Sequence, residues 1–274
     1  MTLQGLQQME TQMQRLRDAG QAYAVATVVR TINATSAKPG QKAILLEDGT
    51  LIEGWVGGAC ARSAVATATR LAVSTGQPQF ISLRPEELLD AQGVSAGQEQ
   101  DGIRFARNGC PSKGSMDVFI EPVLPQPGLT ICGDSPVALA LSDLAGRFDL
   151  HRTLCAPGLE RRDGVVADVV SGDFNVAKRS RFVVIATQGN GDMAALQAAL
   201  KTQADYIAFV GSRRKFATLA DKLTGQGIPA AHLDKIAAPA GLDIHAITPE
   251  EIALSILAQI TQIRRKRDRN DVED

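Results

Sequence analysis

Aromatic side chains are scarce in this chain, at 4% of its 274 residues, and so leave little for the stacking platforms that hold single-stranded nucleic acid. An excess of one charge is missing too. Twenty-nine basic residues face 30 acidic ones, for a formal net charge of -1, and the globally basic footprint of a nucleic-acid binder is therefore absent. No apolar run reaches the ~18 residues of a membrane span. The opening MTLQGLQQME lacks the basic and then apolar stretches of a secretory signal. Histidine occurs only at positions 151, 232 and 245, too dispersed for a His-rich metal cluster or a Ser-His-Asp triad. The GxSxG nucleophile elbow is missing as well. Cysteine occurs four times, as Cys60, Cys110, Cys132 and Cys155, without a CxxC pair. That usage predicts a cytoplasmic protein with thiols rather than a disulfide framework.

What is present describes a globular chain, 44% hydrophobic and 22% charged, long enough for two domains with separate cores. Apolar residues at Leu3, Leu6, Met9, Met13 and Leu16 recur every three or four positions and predict a helix closed by Gly20. AYAVATVVR reads as a buried strand, and ILLEDGTLIEGWV as a hairpin about Asp48-Gly49. A helix over 60–75 ends near Gly76, and QFISLR, IRFAR and MDVFIEPV supply strands, the last stopped by Pro122. This α+β half is expected over 1–124, with PQPG (125–128) as the linker. Beyond it, strands and helices alternate through GLTICG, PVALALSDLAG, LHRTLCA, RFVVIAT, MAALQAALK, YIAFVG and SRRKFATLADKL. The pattern predicts a Rossmann-like, doubly wound parallel sheet over 129–264, making the chain α/β overall. Thr248, Pro249 and Glu251 form a capping box before the last helix. The tail over 265–274 reads as a solvated, frayed end.

Four segments carry candidate chemistry. In GWVGGACAR, Gly57 and Gly58 permit a close backbone approach, and Cys60 opens a helix whose dipole would favour a thiolate. In NGCPSKG, Cys110 stands between Gly109 and Pro111, with Lys113 near enough in sequence to favour ionisation of the thiol. Cys132 and Cys155 lie in apolar strands and read as core. In ICGDSPVALAL, Gly133 begins a Rossmann phosphate turn, but Ser135 and Ala138 occupy its second and third glycine positions. The next strand ends TLCAP, without an acidic residue for a ribose hydroxyl. Binding of NAD(P) or FAD is accordingly not expected. In VGSRRK, Gly211, Ser212, Arg213, Arg214 and Lys215 open a helix suited to a phosphate. Gln188, Asn190 and Asp192, in the loop TQGNGD, lie at the strand edge where α/β proteins bind ligands and are candidates to contact a polar group.

The order GWVGGAC, DVFIEPV, YIAFVGSRRK and APAGLDIHAITPEEIALSILAQI resembles the XdhC/CoxI family of molybdenum-hydroxylase maturation proteins, from about Ala24 to about Ile260. RTINATSAKPGQK is similar to the family's basic loop at Arg30, Thr31, Lys38, Pro39, Gly40 and Lys42. The resemblance implies binding of the pterin molybdenum cofactor, its protection during sulfuration by a cysteine desulfurase, and its insertion into an apo molybdenum hydroxylase. It selects Cys60 and Cys110 from the four thiols. This chain departs from the family pattern at Ala59, Arg62, Pro111-Ser112, Gln188, His245 and the Rossmann turn. Those departures resemble the branch associated with CO dehydrogenases, whose active site joins copper to molybdenum through sulfur. A pair of convergent thiolates at Cys60 and Cys110 would also suit Cu(I). The leading reading is a maturation factor for a xanthine dehydrogenase- or CO dehydrogenase-type enzyme, with homodimerisation left open. The alternatives are a Rossmann oxidoreductase using a nicotinamide or flavin, and a non-catalytic scaffold that recruits a desulfurase.

Overall fold

The computed structural model describes residues 3–111, 113–161, 163–177 and 180–273, with side chains described as far as Lys266. Ser112 of the second cysteine turn and the tail side chains beyond Lys266 lie outside the described residues. The chain divides into two compact units, Met1–Pro125 and Gln126–Asp274.

The first unit begins with α1 (Leu3–Asp18), β1 (Tyr23–Ile32), β2 (Lys42–Leu46), β3 (Leu51–Gly54) and α2 (Ala59–Thr75). It continues through β4 (Gln79–Arg84), α3 (Glu86–Ala91), β5 (Glu99–Gln100), β6 (Ile103–Arg107) and β7 (Ser115–Val123). These strands form one mixed sheet in the order β3-β2-β1-β7-β4-β6-β5, with β4 and β6 parallel. One face carries Ala26, Val28, Leu83, Val118 and Ile120 against Val65, Ala68 and Ala72 of α2, a fully buried layer. Such side chains contribute about 1.5–3 kcal/mol each when large. On the other face, Met9 and Leu16 of α1 cover Tyr23 and Ile44, whereas Leu3 and Leu6 of the same predicted stripe are exposed.

Pro122 does not stop β7, which pairs through it with Ala24 of β1. The pairing of β7 with β4 has already ended at Ile120, so the missing N–H deprives no partner. Asp117 of β7 is buried and held by Arg30 at 2.6 Å, Arg84 at 2.8 Å and the Ser82 hydroxyl at 2.8 Å. Removing one member of such a buried cluster is costly because it strands the remaining charge.

The second unit comprises β8 (Gly128–Cys132), α4 (Pro136–Ala145), β9 (His151–Cys155), β10 (Val169–Ser171), β11 (Ser180–Ile185), α5 (Asp192–Ala199), β12 (Tyr206–Phe209), α6 (Arg213–Gly225), α7 (Ala230–Leu233) and α8 (Pro249–Glu273). Its strands are all parallel, in the order β10-β9-β8-β11-β12. Leu129 and Ile131 pack with α4 and α8 on one face. Val183 and Ile185 pack with α5 and α6 on the other, giving the doubly wound Rossmann-like sheet that the alternation predicts. The Thr248–Glu251 capping box forms: Glu251 N–H donates to Thr248 Oγ1 at 3.3 Å and Thr248 N–H to Glu251 Oε2 at 2.9 Å. The backbone of α8 continues to Glu273, where a frayed end was expected.

Candidate functional site

Three segments of the first unit meet around the exposed thiols. Gly57 adopts φ 114°, and a Cβ there would stand 3.0 Å from that of Ala61. Only glycine makes this turn without strain, and it delivers the chain directly into α2. Gly58 is the N-cap of that helix and supplies no side-chain cap, so the first amide donors stay available. Ser36, from the basic loop, accepts from Gly58 N–H at 3.2 Å through Oγ and from the Trp55 indole at 3.3 Å through its carbonyl. The loop is thereby fastened to the first cysteine turn.

The second cysteine turn is closed by Asn108. Its Oδ1 accepts from Cys110 N–H at 3.1 Å, and its Nδ2 donates to Gly114 O at 2.6 Å. Such a side-chain-closed turn needs no strand on either side. Asn108 N–H is itself anchored to Arg84 O at 2.7 Å, at the end of β4. An isolated parallel bridge joins Lys113 to Ala34 of the basic loop. A Cβ placed on Gly109 would lie 3.9 Å from Cys60 Sγ, which puts the residue before Cys110 beside the first thiol. Both cysteines are exposed. Lys113 places its ammonium 2.5 Å from Glu87, and the hydrogen bond it donates holds that carboxyl below the usual range. Among the described residues, no three His, Cys, Asp or Glu side chains gather as a metal site. Arg30, matched in the basic loop, is engaged with Asp117, while Lys38 and Lys42 are exposed.

Beside Cys60 lies a cleft of about 660 Å³ between α2 and β6. Ser63 borders it on the helix, and Arg104 and Arg107 border it on the strand. The sequence signal for these arginines is weak, because IRFAR reads simply as a strand until α2 is packed beside it.

In the second unit, Gly133 takes φ 119°, and a Cβ there would stand 2.4 Å from Ala186 O. The Ser135 hydroxyl donates to that carbonyl at 2.6 Å and accepts from Ala138 N–H at 3.3 Å. Pro136 follows with no N–H to offer. These bonds tie the β8–α4 turn, which stands at the β8/β11 switch point, to the end of β11. Cys132 and Cys155 are register partners on β8 and β9, fully buried with sulfurs 3.6 Å apart. The hydrogen bond with Cys155, then burial, pushes the Cys132 thiol up.

Gln188 is exposed in a left-handed conformation, φ 51°. Beside it, buried Asp192 accepts hydrogen bonds from Thr187 Oγ1 and from Gly189 N–H, and pairs with Lys215 at 2.7 Å. Burial opposes ionisation of Asp192, but the bonds from Lys215 and Thr187 outweigh it and hold its carboxyl below the usual range. Lys215 therefore ties α6 to α5. Gly211 leads to Ser212, which caps α6 by accepting from Lys215 N–H at 3.2 Å. Arg213 and Arg214 are exposed, and among the described residues neither guanidinium has a partner. These residues and the two exposed thiols belong to different units, each with its own surroundings.

No helix among the described residues is long and apolar enough to cross a membrane. A family model described as the XdhC Rossmann domain matches residues 129–260, and one described as the XdhC and CoxI family matches residues 16–84. The uncharacterized protein YqeB of Escherichia coli (strain K12) is 30% identical over 177 residues, which span 59% of this chain and 32% of that protein's length. A crystal structure described as a xanthine dehydrogenase from Bacillus halodurans aligns at TM-score 0.45 and 19% identity, over 94% of this chain and 96% of that one.

Proposed function

Because the chain belongs to the XdhC and CoxI family, we propose that it is a maturation factor for a molybdenum hydroxylase of the xanthine dehydrogenase or CO dehydrogenase type, and that Cys60 and Cys110 carry sulfur destined for the client's molybdenum cofactor. The observation that carries the reading is the meeting of the basic loop with the two cysteine turns, with Gly109 set against Cys60. A sulfur carrier needs a thiol that a partner can reach and a neighbour to which sulfur can pass. Cys60 and Cys110 are exposed; Cys132 and Cys155 are not.

The chemistry follows thiol–disulfide exchange. A Cys60 thiolate attacks the outer sulfur of a cysteine desulfurase persulfide. The new S–S bond forms on Cys60 as the old one breaks, and the desulfurase thiolate leaves, with no net change in electron count. Attack by Cys110 on the outer sulfur passes it along in the same way. The molybdenum cofactor is cargo in this scheme, and the relay ends with the sulfane sulfur held on Cys110 as a persulfide.

Reconstitution tests the proposal with apo-hydroxylase, desulfurase, cysteine and molybdenum cofactor. Cys60→Ser and Cys110→Ser should each abolish client activation while leaving the unfolding midpoint unchanged. Mass spectrometry should find a mass gain of one sulfur on Cys60 in the wild-type chain. Full client activity with both variants would overturn the proposal. Tight Cu(I) uptake that requires both thiols, without sulfur gain, would replace sulfur by metal as the cargo.

A further inference from the structure

The basic loop and the Cys110 turn both leave the sheet beside one buried carboxylate. Asp117 Oδ2 accepts from Arg30 Nε at 2.7 Å and Nη2 at 2.6 Å, and its Oδ1 from Arg84 Nη2 and Ser82 Oγ, each at 2.8 Å. Arg30 reaches it only because β1 is irregular there. Val28 opposes Val118, and the register then shifts so that Arg30 rather than Val29 opposes Asp117. Val118 and Met116 pack with α2, and successive side chains of a strand face opposite ways. A regular β1 would therefore set Val29 opposite Asp117 and turn Arg30 toward α2. The one-residue shift is that of a β-bulge, which re-aims a side chain, and it leaves Val29 exposed. Each arginine leads to one half of the thiol site. Just past Arg30, β1 ends and the basic loop begins, whose Ser36 holds Gly58 N–H ahead of Cys60. Arg84 ends β4, and its carbonyl accepts from the N–H of Asn108, which closes the Cys110 turn. That turn rejoins the sheet at Ser115, beside Asp117 on β7.

We propose that Asp117 is the positioning residue of the thiol pair: by holding Arg30 and Arg84 together, it sets the Cys110 turn against the Cys60 turn. Stability alone does not call for this cluster, since well-packed apolar side chains often serve a buried site as well. Charge-assisted guanidinium bonds add direction, fixing two strand ends to one point. The passage of sulfur between the thiols rests on the function proposed above, whereas the positioning of the two turns does not.

A short, rigid dimaleimide measures the positioning in the native full chain without reference to sulfur. Once one end has reacted, the other closes a bridge at an effective concentration set by the span between the thiols. Mass spectrometry after digestion should find a Cys60–Cys110 bridge in the wild-type chain. Asp117→Asn should lower the bridged fraction at least about fivefold, and Arg30→Gln at least about threefold. N-ethylmaleimide, which needs only one thiol, should label Cys60 and Cys110 in both variants as it does in the wild type. Arg30→Lys keeps the charge and should recover most of the bridge. Should Asp117→Asn unfold the chain, the two Arg30 variants decide, because that side chain is 59% exposed. With the desulfurase, Cys60 should still gain sulfur in the Arg30→Gln chain, while its arrival on Cys110 falls in step with the bridge. A bridge unmoved by Arg30→Gln, one no better in Arg30→Lys than in Arg30→Gln, or none in the wild-type chain would overturn the positioning role. The sulfur role is then judged by Cys60→Ser and Cys110→Ser alone. A bridge that depends on Arg30 while both serine variants keep the client active would keep the positioning and overturn the sulfur role.

Discussion

Two glycine turns, each leading from a strand into a helix, end in opposite chemistry. Between β3 and α2, Gly57 at φ 114° and Gly58 leave the helix start without a side-chain cap, and Cys60 is exposed. Between β8 and α4, Gly133 at φ 119° presses on Ala186, Ser135 caps the helix and Pro136 withdraws a donor. The thiol beside the second turn, Cys132, is buried against Cys155. Sequence places the same ingredients in both: glycine, a small or polar residue, a helix start and a cysteine. Occupancy of the first backbone donors separates them. A turn whose donors and hydroxyl bond within the protein serves the fold, and one whose donors stay open can meet a ligand.

The largest effect should come from adding a methyl group at the closed turn. Gly133→Ala places a Cβ 2.4 Å from Ala186 O at φ 119°, where neither backbone can yield cheaply. A loss of about 3 kcal/mol or more is expected from combined overpacking and backbone strain, read from urea unfolding. At the open turn, Gly58 has φ -70°, and the nearest atom to an added Cβ is Ser36 Oγ at 4.0 Å. Gly58→Ala should therefore cost less than about 1 kcal/mol. Equal losses at the two sites would erase the contrast.

The thiols sharpen it next. Iodoacetamide should label Cys60 and Cys110 in the folded chain at least about 100-fold faster than Cys132 and Cys155, since exposing the buried pair needs an opening of about 3 kcal/mol or more. Labelling of all four at similar rates would mean that the β8–β9 core opens readily.

Much of this arrangement is legible in the sequence, for identifiable reasons. The hairpin about Asp48-Gly49, the helix closed by Gly76 and the Thr248–Glu251 box are local devices, and each forms where its residues stand. Alternating strand and helix patterns set the parallel sheet because crossovers leave few other topologies. Short pieces escape detection: α3 and the two-residue β5 are too brief to show a period. The pairing of Lys113 is likewise hidden, since Glu87 lies 26 positions away and reaches it only through the fold. Arg104 and Arg107 acquire a common border only once α2 packs against the sheet. His245 takes φ 57°, a left-handed conformation that nothing in its local sequence announces.

Ser135→Ala would remove the α4 cap and the bond to Ala186 together, costing about 1–2 kcal/mol. NADH binding should be weak before and after, because the turn lacks the second glycine that lets a pyrophosphate approach and Pro136 offers no N–H. Micromolar NADH affinity by calorimetry in the wild-type chain would reverse the assignment of this turn to the fold.

A smaller effect is expected from acid. Asp192 ionises more readily in the folded chain than an ordinary carboxyl, because the bonds from Lys215 and Thr187 outweigh its burial. Its contribution is therefore fully present above the unfolded value of about 3.9 and is lost as pH falls toward the lower folded value. The stability gap between the wild-type chain and Asp192→Asn should be wide at about pH 6 and should narrow at about pH 3. A gap independent of pH would mean that Lys215 does not distinguish the two side chains by charge.

The smallest change in stability belongs to the outermost cations. Arg213 and Arg214 open α6, where positive charge works against the helix dipole, and both are exposed without partners among the described residues. Arg213→Ala should leave the unfolding free energy within about 0.5 kcal/mol of wild type, since surface changes away from caps and clusters rarely exceed that. If these arginines serve an anion, the same substitution should weaken pyrophosphate binding to this unit several-fold, as loss of one charge-assisted bond of about 1.5–3 kcal/mol would. Calorimetric titration of pyrophosphate into the wild-type and Arg213→Ala chains reads the difference. Equal binding by the two chains would make the α6 arginines a solvated surface.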